Sequence, residues 1–147
     1  MDLQFSLKNQ DGDTVTGADY RGKGLIMFFY PRAMTPGCTT EACDFRDNYS
    51  AFGQAGYEIV GVSPDPPSRN AKFREKEGLE FDLLSDEDRE LAGQLGAWGE
   101  KNNYGKKSMG LIRSTFVFDA DGGLAREYIN VRAKGHVARV AADLLGT

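Results

Sequence analysis

The segment Gly24-Leu-Ile-Met-Phe-Phe-Tyr30 is an uninterrupted apolar run, followed over residues 31–37 by two prolines and a glycine. A run of this length bounded by turn residues predicts a strand buried on both faces. Residues 38–52 then carry apolar side chains at helical spacing, so we predict a helix that begins at Cys38. The order strand, loop, helix places Cys38 beyond the carboxyl end of a buried strand, where α/β sheets hold their ligands.

A second apolar run, residues 57–63, follows this helix, and a right-handed crossover would make the two strands parallel neighbours. The remaining pattern predicts a strand over 1–7, a turn at 9–13, a helix from 66–67 to about 77, a strand over 82–84, a helix over 85–95 with Ser85 as N-cap, a loop over 96–110, a hairpin of 114–118 with 124–131, and a helix over 135–145. This alternation indicates a thioredoxin-like α/β fold, with helices on both faces of a central mixed β-sheet.

The composition is that of a globular chain: 40% of the 147 residues are apolar, 27% are charged, and the formal net charge is −4. We predict one domain over residues 1–147. The mild acidic balance offers no broad basic surface for nucleic acid or for an anionic membrane. No apolar stretch approaches the roughly 20 residues that span a bilayer, and residues 1–10 lack the pattern of a signal peptide, so we expect a cytoplasmic protein.

Cys38 is the strongest candidate for chemistry. The first N–H groups of a helix have no acceptor within the helix, and together with the positive end of the helix dipole they stabilise an anion. A cysteine at that position should ionise readily and act as a nucleophile near neutral pH. The simpler interpretation is a small buried core thiol, but the junction of strand, loop and helix favours a reactive one.

Cys43 lies five residues after Cys38. In an ideal helix this spacing puts the two Cα atoms roughly 8–9 Å apart, beyond the ~7 Å that a disulfide can span. The pair can therefore bond only if the helix opens, and the alternative is that Cys43 is an ordinary helix residue. Two cysteines and one histidine are too few for a structural zinc site, and we expect neither metal nor cofactor.

The motifs around these cysteines resemble a known family. Pro31, Thr35 and Cys38 fit the peroxiredoxin pattern P-x-x-x-T-x-x-C. The stretch Thr35-Pro-Gly-Cys-Thr-Thr-Glu-Ala-Cys43 is similar to the bacterioferritin-comigratory-protein or peroxiredoxin Q branch, an atypical two-cysteine type whose resolving cysteine follows the peroxidatic one by five residues. Further similar motifs lie at 62–65, 84–86, 98–101, 104–107, 113–116 and 134–137, so the resemblance covers essentially the whole chain, as one AhpC/TSA-type domain.

The resemblance implies a thiol-dependent peroxidase that reduces hydrogen peroxide and organic hydroperoxides. Cys38 would attack the terminal peroxide oxygen and become a sulfenic acid, which Cys43 would resolve as an intramolecular disulfide. Thioredoxin would reduce that disulfide.

The resemblance also implies a role for each neighbouring residue. Thr35 would hold the thiolate and the peroxide through its hydroxyl, Arg113 would supply a fixed cation, and Pro31 would shield the site from water. The N–H groups of Gly37 and Cys38 would polarise the peroxide. Glu41 would orient the arginine.

Two other functions remain consistent with the sequence. One is a non-catalytic thiol redox sensor that acts on a protein partner. The other is a chaperone or structural role of an inactive relative, which the complete set of site residues disfavours. We expect His136, Trp98 and Tyr104 to serve packing. Because both cysteines lie in one segment, no dimer is required and we expect a monomer.

Overall fold

The structure is a computed structural model that describes residues 4–103 and 105–146. Its elements, in chain order, are β1 (Ser6–Lys8), β2 (Thr14–Thr16), a 3₁₀ turn (Gly17–Tyr20), β3 (Gly24–Phe29), α1 (Pro36–Asp47), α2 (Tyr49–Gln54), β4 (Tyr57–Ser63), α3 (Pro67–Glu77), β5 (Asp82–Ser85), α4 (Glu90–Leu95), β6 (Trp98–Asn103), β7 (Lys106–Leu111), β8 (Ser114–Phe118), β9 (Leu124–Ile129) and α5 (His136–Leu145).

Seven strands form one mixed sheet in the order β2-β1-β5-β4-β3-β8-β9. The central strand β3 pairs in parallel with β4, from Gly24 opposite Tyr57 to Phe29 opposite Val62, and antiparallel with β8 on its other side. The predicted parallel pair and the predicted hairpin of β8 with β9 are therefore confirmed.

Both faces of β3 are buried, which explains why its sequence is apolar without alternation. Ile26 and Phe28 belong to a core covered by α1, α2, α3 and α5, and the Phe28 ring stacks on Phe45 of α1 at 4.6 Å between ring centroids. Met27 and Phe29 belong to a second core on the opposite face of the sheet, which includes residues of α4, β7 and β8. The thioredoxin-like α/β prediction, with helices on both faces of the sheet, is confirmed.

The predicted loop over 96–110 is wrong. Residues 98–103 and 106–111 form an antiparallel hairpin, β6 with β7, that stands apart from the main sheet. The glycines and lysines of this segment are typical of a loop. They occur here in a strand because most of β7 faces solvent and needs no apolar side chains. The hairpin is anchored at its base, where Leu111 is buried and Trp98 packs against the second core. Tyr104 lies outside the described residues.

The ends of two predicted helices differ from those observed: the helix predicted from Cys38 and the helix predicted from Ser85. Helix α1 begins at Pro36, two residues before Cys38, because proline needs no N–H acceptor in a first turn; the helical segment is also interrupted at Asn48. Ser85 ends β5 and is not an N-cap. The Asp86 carboxylate instead accepts the N–H groups of Leu91 and Ala92 at 3.1 and 2.9 Å.

At the N-terminus, the predicted strand over 1–7 is observed only as Ser6–Lys8, with residues 1–3 outside the described range. It pairs with β2, a strand that the sequence analysis did not predict. Among the described helices, none combines the length and the apolar character that a membrane crossing requires.

Candidate active site

Cys38 is the third residue of α1, and its side chain is 1% exposed. The helix begins after Thr35, whose carbonyl accepts the Thr39 N–H at 2.9 Å. In this first turn Pro36 has no N–H, and Gly37 and Cys38 come too early to have an acceptor within the helix. The thiol thus lies at the positive end of the helix, as the sequence predicted.

Arg113 lies between β7 and β8 and brings a cation to this thiol from 75 residues away. Its Nη2 donates to Cys38 Sγ at 3.3 Å, while Nη1 donates to Glu41 Oε1 at 2.6 Å. The guanidinium therefore donates one hydrogen bond to each of two residues of α1, which fixes its orientation. At Gly37 a Cβ atom would lie 3.2 Å from Arg113 Nη2, so the glycine leaves room for the arginine.

Glu41 is completely buried beside Cys38. Burial raises the pKa of its carboxyl group to about 7, although Arg113 acts in the opposite direction. Its Oε2 has no hydrogen-bond partner among the described residues and lies 3.9 Å from His136 Nε2.

His136 is buried at the start of α5, and a hydrogen bond of 2.7 Å joins its Nε2 to Thr115 Oγ1. Burial, together with Arg113 and Arg139, lowers the pKa of His136 to about 4, so the ring is neutral near pH 7. The residue serves packing, as predicted, and also borders the Glu41 carboxyl group.

Thr35 is the residue before α1, and Pro31 lies two residues after the end of β3. The Thr35 hydroxyl donates to the Arg32 carbonyl at 2.8 Å, which leaves the hydroxyl oxygen able to accept a hydrogen bond from a peroxide O–H. Pro31 lines an open pocket of about 540 Å³ together with Arg113, Lys101 and apolar side chains. Burial and the proximity of Arg113 lower the pKa of Lys101.

A clamp that the sequence analysis missed holds the loop before α1. Asp65 Oδ2 accepts the Ala33 N–H at 2.7 Å, and Arg69 Nη2 donates to the Ala33 carbonyl at 2.9 Å. Asp65 also accepts the Ser63 hydroxyl at 2.8 Å. A sequence signal was available, because Asp65 follows β4 at the same sheet edge as the Cys38 loop.

Cys43 lies on the same uninterrupted helix as Cys38, and both thiols are free. Its side chain is half-buried, with Sγ 3.8 Å from Glu77 Oε1 of α3. Burial raises the pKa of Cys43, and Arg46 acts in the opposite direction. The intact helix holds Cys43 too far from Cys38 to form a bond. A protonated thiol is also a poor nucleophile.

Among the other candidates, Trp98 packs against the second core and carries the Arg89 guanidinium 5.0 Å from its ring centroid. Trp98 therefore has a packing role. Within the described residues, no three His, Cys, Asp or Glu side chains group so that they could hold a metal ion.

A reduced cysteine at a helix N-terminus, beside a fixed arginine on a thioredoxin-like fold, is the arrangement of an enzyme that uses an activated thiol as its nucleophile. The model of the AhpC/TSA family matches residues 3–126. Peroxiredoxin Bcp of Bacillus subtilis is 47% identical over 140 residues, which cover 95% of this chain and 89% of that protein. Peroxiredoxin Bcp of Escherichia coli is 44% identical over 133 residues, covering 90% and 85%.

Solved structures agree. Peroxiredoxin Q of Xanthomonas campestris superposes with a TM-score of 0.90 at 37% identity, covering 97% of this chain and 90% of that one. The chain belongs to the AhpC/TSA family, and its relatives are peroxiredoxins of the Bcp or peroxiredoxin Q branch. Its activity is that of a thiol-dependent peroxidase.

Proposed function

We propose that Cys38 is the peroxidatic cysteine of this peroxidase and that Arg113, Thr35, Gly37 and Pro31 complete its site. The observation that carries the proposal is the 3.3 Å contact between Arg113 Nη2 and Cys38 Sγ at the first turn of α1. A fixed cation and a helix N-terminus act on one sulfur, and both favour the thiolate.

The peroxide is held while the thiolate attacks. The Thr35 hydroxyl oxygen accepts the O–H of the peroxide, and the N–H groups of Gly37 and Cys38, with Arg113, receive the charge that moves onto the leaving oxygen. Pro31 limits the access of water. The products are a Cys38 sulfenic acid and an alcohol, or water when the substrate is hydrogen peroxide.

Cys43 then resolves the sulfenic acid as an intramolecular disulfide, with release of water. The disulfide requires α1 to open, because an intact helix holds the two Cα atoms too far apart. A dithiol protein of the thioredoxin type reduces the disulfide by exchange.

The substrates include organic hydroperoxides as well as hydrogen peroxide. The pocket beside Arg113 is lined in part by Pro31, Ile112, Ile129 and Val131, which offer apolar surface to an alkyl group. The bacterioferritin comigratory protein of Xanthomonas campestris, with a TM-score of 0.90 at 36% identity, is described in a study of its alkyl peroxide reduction activity.

The proposed enzyme is a single-domain monomer of the cytoplasm. Residues 1–147 act as one AhpC/TSA-type domain, monomeric, in the cytoplasm. Two cysteines on one helix need no second subunit. The net charge of −4 disfavours nucleic acid and anionic membranes as partners.

The decisive experiment is peroxide consumption in the presence of thioredoxin, thioredoxin reductase and NADPH. Catalytic turnover with hydrogen peroxide and with cumene hydroperoxide is expected. A non-catalytic redox sensor would consume about one peroxide per chain and then stop, and this outcome would overturn the proposal. Analytical ultracentrifugation of the reduced protein tests its oligomeric state, and a species with the mass of one chain is expected.

A further inference from the structure

The carboxyl group of Glu41 is completely buried, yet only one of its two oxygens has a hydrogen bond. Oε1 accepts from Arg113 Nη1 at 2.6 Å, and Oε2 has no partner among the described residues. An ionised carboxylate in such a place leaves charged lone pairs unsatisfied, which costs free energy. Holding Arg113 therefore does not by itself account for the environment of Glu41.

The charges around Arg113 do not balance if both of its neighbours are anions. One guanidinium contacts Glu41 through Nη1 and Cys38 Sγ through Nη2. Cys38 is 1% exposed and Glu41 is not exposed at all, so a thiolate and a carboxylate together would share Arg113 as the one cation that contacts both. When two acidic groups share one cation, the proton occupancy of one depends on the charge of the other.

In the described part of the chain, the remaining titratable groups place no second cation in contact with Glu41. His136 of α5 is neutral, since its pKa is lowered to about 4. Lys101 of β6 is a cation at the pocket that interacts electrostatically with Cys38, but no contact joins it to Glu41 in the described part of the chain, and burial lowers its pKa. Asp44, also on α1, adds negative charge, which together with burial favours a protonated Glu41.

We propose that Glu41 is the proton-linked partner of Cys38: its carboxyl group holds a proton while Cys38 is a thiolate and releases it once the sulfur becomes neutral. This rests on Cys38 being the peroxidatic residue. Glu41 is thereby a positioning residue for Arg113 that also stores a proton next to the reaction.

The proton balance of the peroxide step follows. Ionisation of Cys38 moves its thiol proton to Glu41, so no net proton leaves the protein. The thiolate attacks the hydroxyl oxygen of ROOH, an S–O bond forms, the O–O bond breaks, and RO⁻ leaves. Sulfur is oxidised and the peroxide reduced by two electrons. The sulfenic acid keeps the hydroxyl proton of the peroxide, and the proton released from Glu41 converts RO⁻ to ROH.

The test counts protons during alkylation of Cys38. Reduced Cys43→Ser protein, whose single cysteine is Cys38, is treated with iodoacetamide in weakly buffered indicator dye at about pH 8, above the pKa of about 7 that burial gives Glu41. Thiolate absorbance of the same sample gives the ionised fraction. Alkylation of a thiolate releases no proton by itself, whereas the proposal expects about one proton per Cys38 alkylated even where that fraction is high.

Two further variants in the same background assign the proton. Glu41→Gln should abolish the excess release, and Glu75→Gln, which changes an exposed glutamate of α3, should retain it. Release no greater than the fraction of un-ionised thiol would overturn the proposal, and so would an excess that persists in Glu41→Gln. Peroxidase activity of the wild-type protein is measured separately, so a missing excess with intact turnover rejects the proton link alone.

An infrared difference spectrum keeps the proposal testable if Glu41→Gln does not fold. Oxidation of reduced Cys43→Ser protein with an equivalent of peroxide should remove the C=O band of a protonated carboxylic acid. Labelling glutamate with ¹³C should shift that band and so separate Glu41 from Asp44. A spectrum without a glutamic acid band in the reduced protein would contradict the inference.

Discussion

Arg113 Nη2 lies 3.3 Å from Cys38 Sγ, although 75 residues separate the two along the chain. The arginine is 16% exposed and is held from its other side by Glu41, so its position is set before any substrate arrives. A donor that needs no reorganisation during the reaction is what stabilises a charged transition state most effectively.

Replacing Cys38 with serine is expected to abolish peroxide consumption, because the chain loses its activated nucleophile. Stopped-flow measurement of peroxide loss at neutral pH checks this. Cys43→Ser is the matched control, since it removes the other thiol but leaves the peroxide step. Substantial turnover by Cys38→Ser would show that the nucleophile lies elsewhere.

Replacing Arg113 with alanine is expected to slow the peroxide step by about 10²- to 10³-fold, as removal of a preorganised donor does in other enzymes. The ionised fraction of Cys38 should also fall, which thiolate absorbance during a pH titration measures. Arg126→Ala, which changes a half-exposed arginine of β9, is the control. Equal rates for the two variants would remove Arg113 from the mechanism.

Replacing Cys43 with serine should permit one reaction with peroxide and prevent recycling by thioredoxin. The sulfenic acid then persists and is oxidised further to sulfinic acid under excess peroxide. Intact-protein mass spectrometry follows the added oxygen atoms. Normal thioredoxin-linked turnover in this variant would mean that Cys43 does not resolve Cys38.

Oxidation should unwind part of α1. The two cysteines are five residues apart in an uninterrupted helix, roughly 8–9 Å between Cα atoms, and a disulfide needs them closer than ~7 Å. Thr39 and Thr40 lower the helix propensity between them. Amide hydrogen exchange should therefore rise over residues 39–44 in the disulfide form while β3 and β4 remain protected. Unchanged exchange in this segment would contradict the opening.

His136 should make the protein acid-sensitive. Its pKa is lowered to about 4 in the folded chain, from 6.5 when unperturbed, so between these pH values the unfolded chain binds a proton that the folded chain does not. The free energy of unfolding therefore falls as the pH falls through that window, by about 2–3 kcal/mol.

Urea unfolding of wild type and His136→Gln at several pH values measures this effect. The difference between the two proteins, wild type minus variant, should fall by about that amount from pH 7 to pH 4. Contributions from titratable groups far from His136 cancel in the difference. A difference independent of pH would show that His136 titrates normally.

The β6–β7 hairpin shows where sequence reasoning fails. Most residues of β7 face water, so hydrophobic alternation gives little signal there. What stabilises it is the contact of Trp98 and Leu111 with the core on the far side of the sheet. That contact depends on how the hairpin packs, which the local pattern does not contain.

By itself, the sequence determined that Cys38 lies near the start of a helix after a buried strand and that Cys43 shares that helix. Both facts follow from local periodicity and turn residues, which act over a few positions. The family resemblance implied Arg113 and Glu41, and only the tertiary structure decided how these charges are placed around the thiol. Arg113, Glu41 and His136 come from three separate elements, and their distances depend on how α1 and α5 pack against the sheet. Burial, which sets the protonation of Glu41 and His136, arises only when those elements come together.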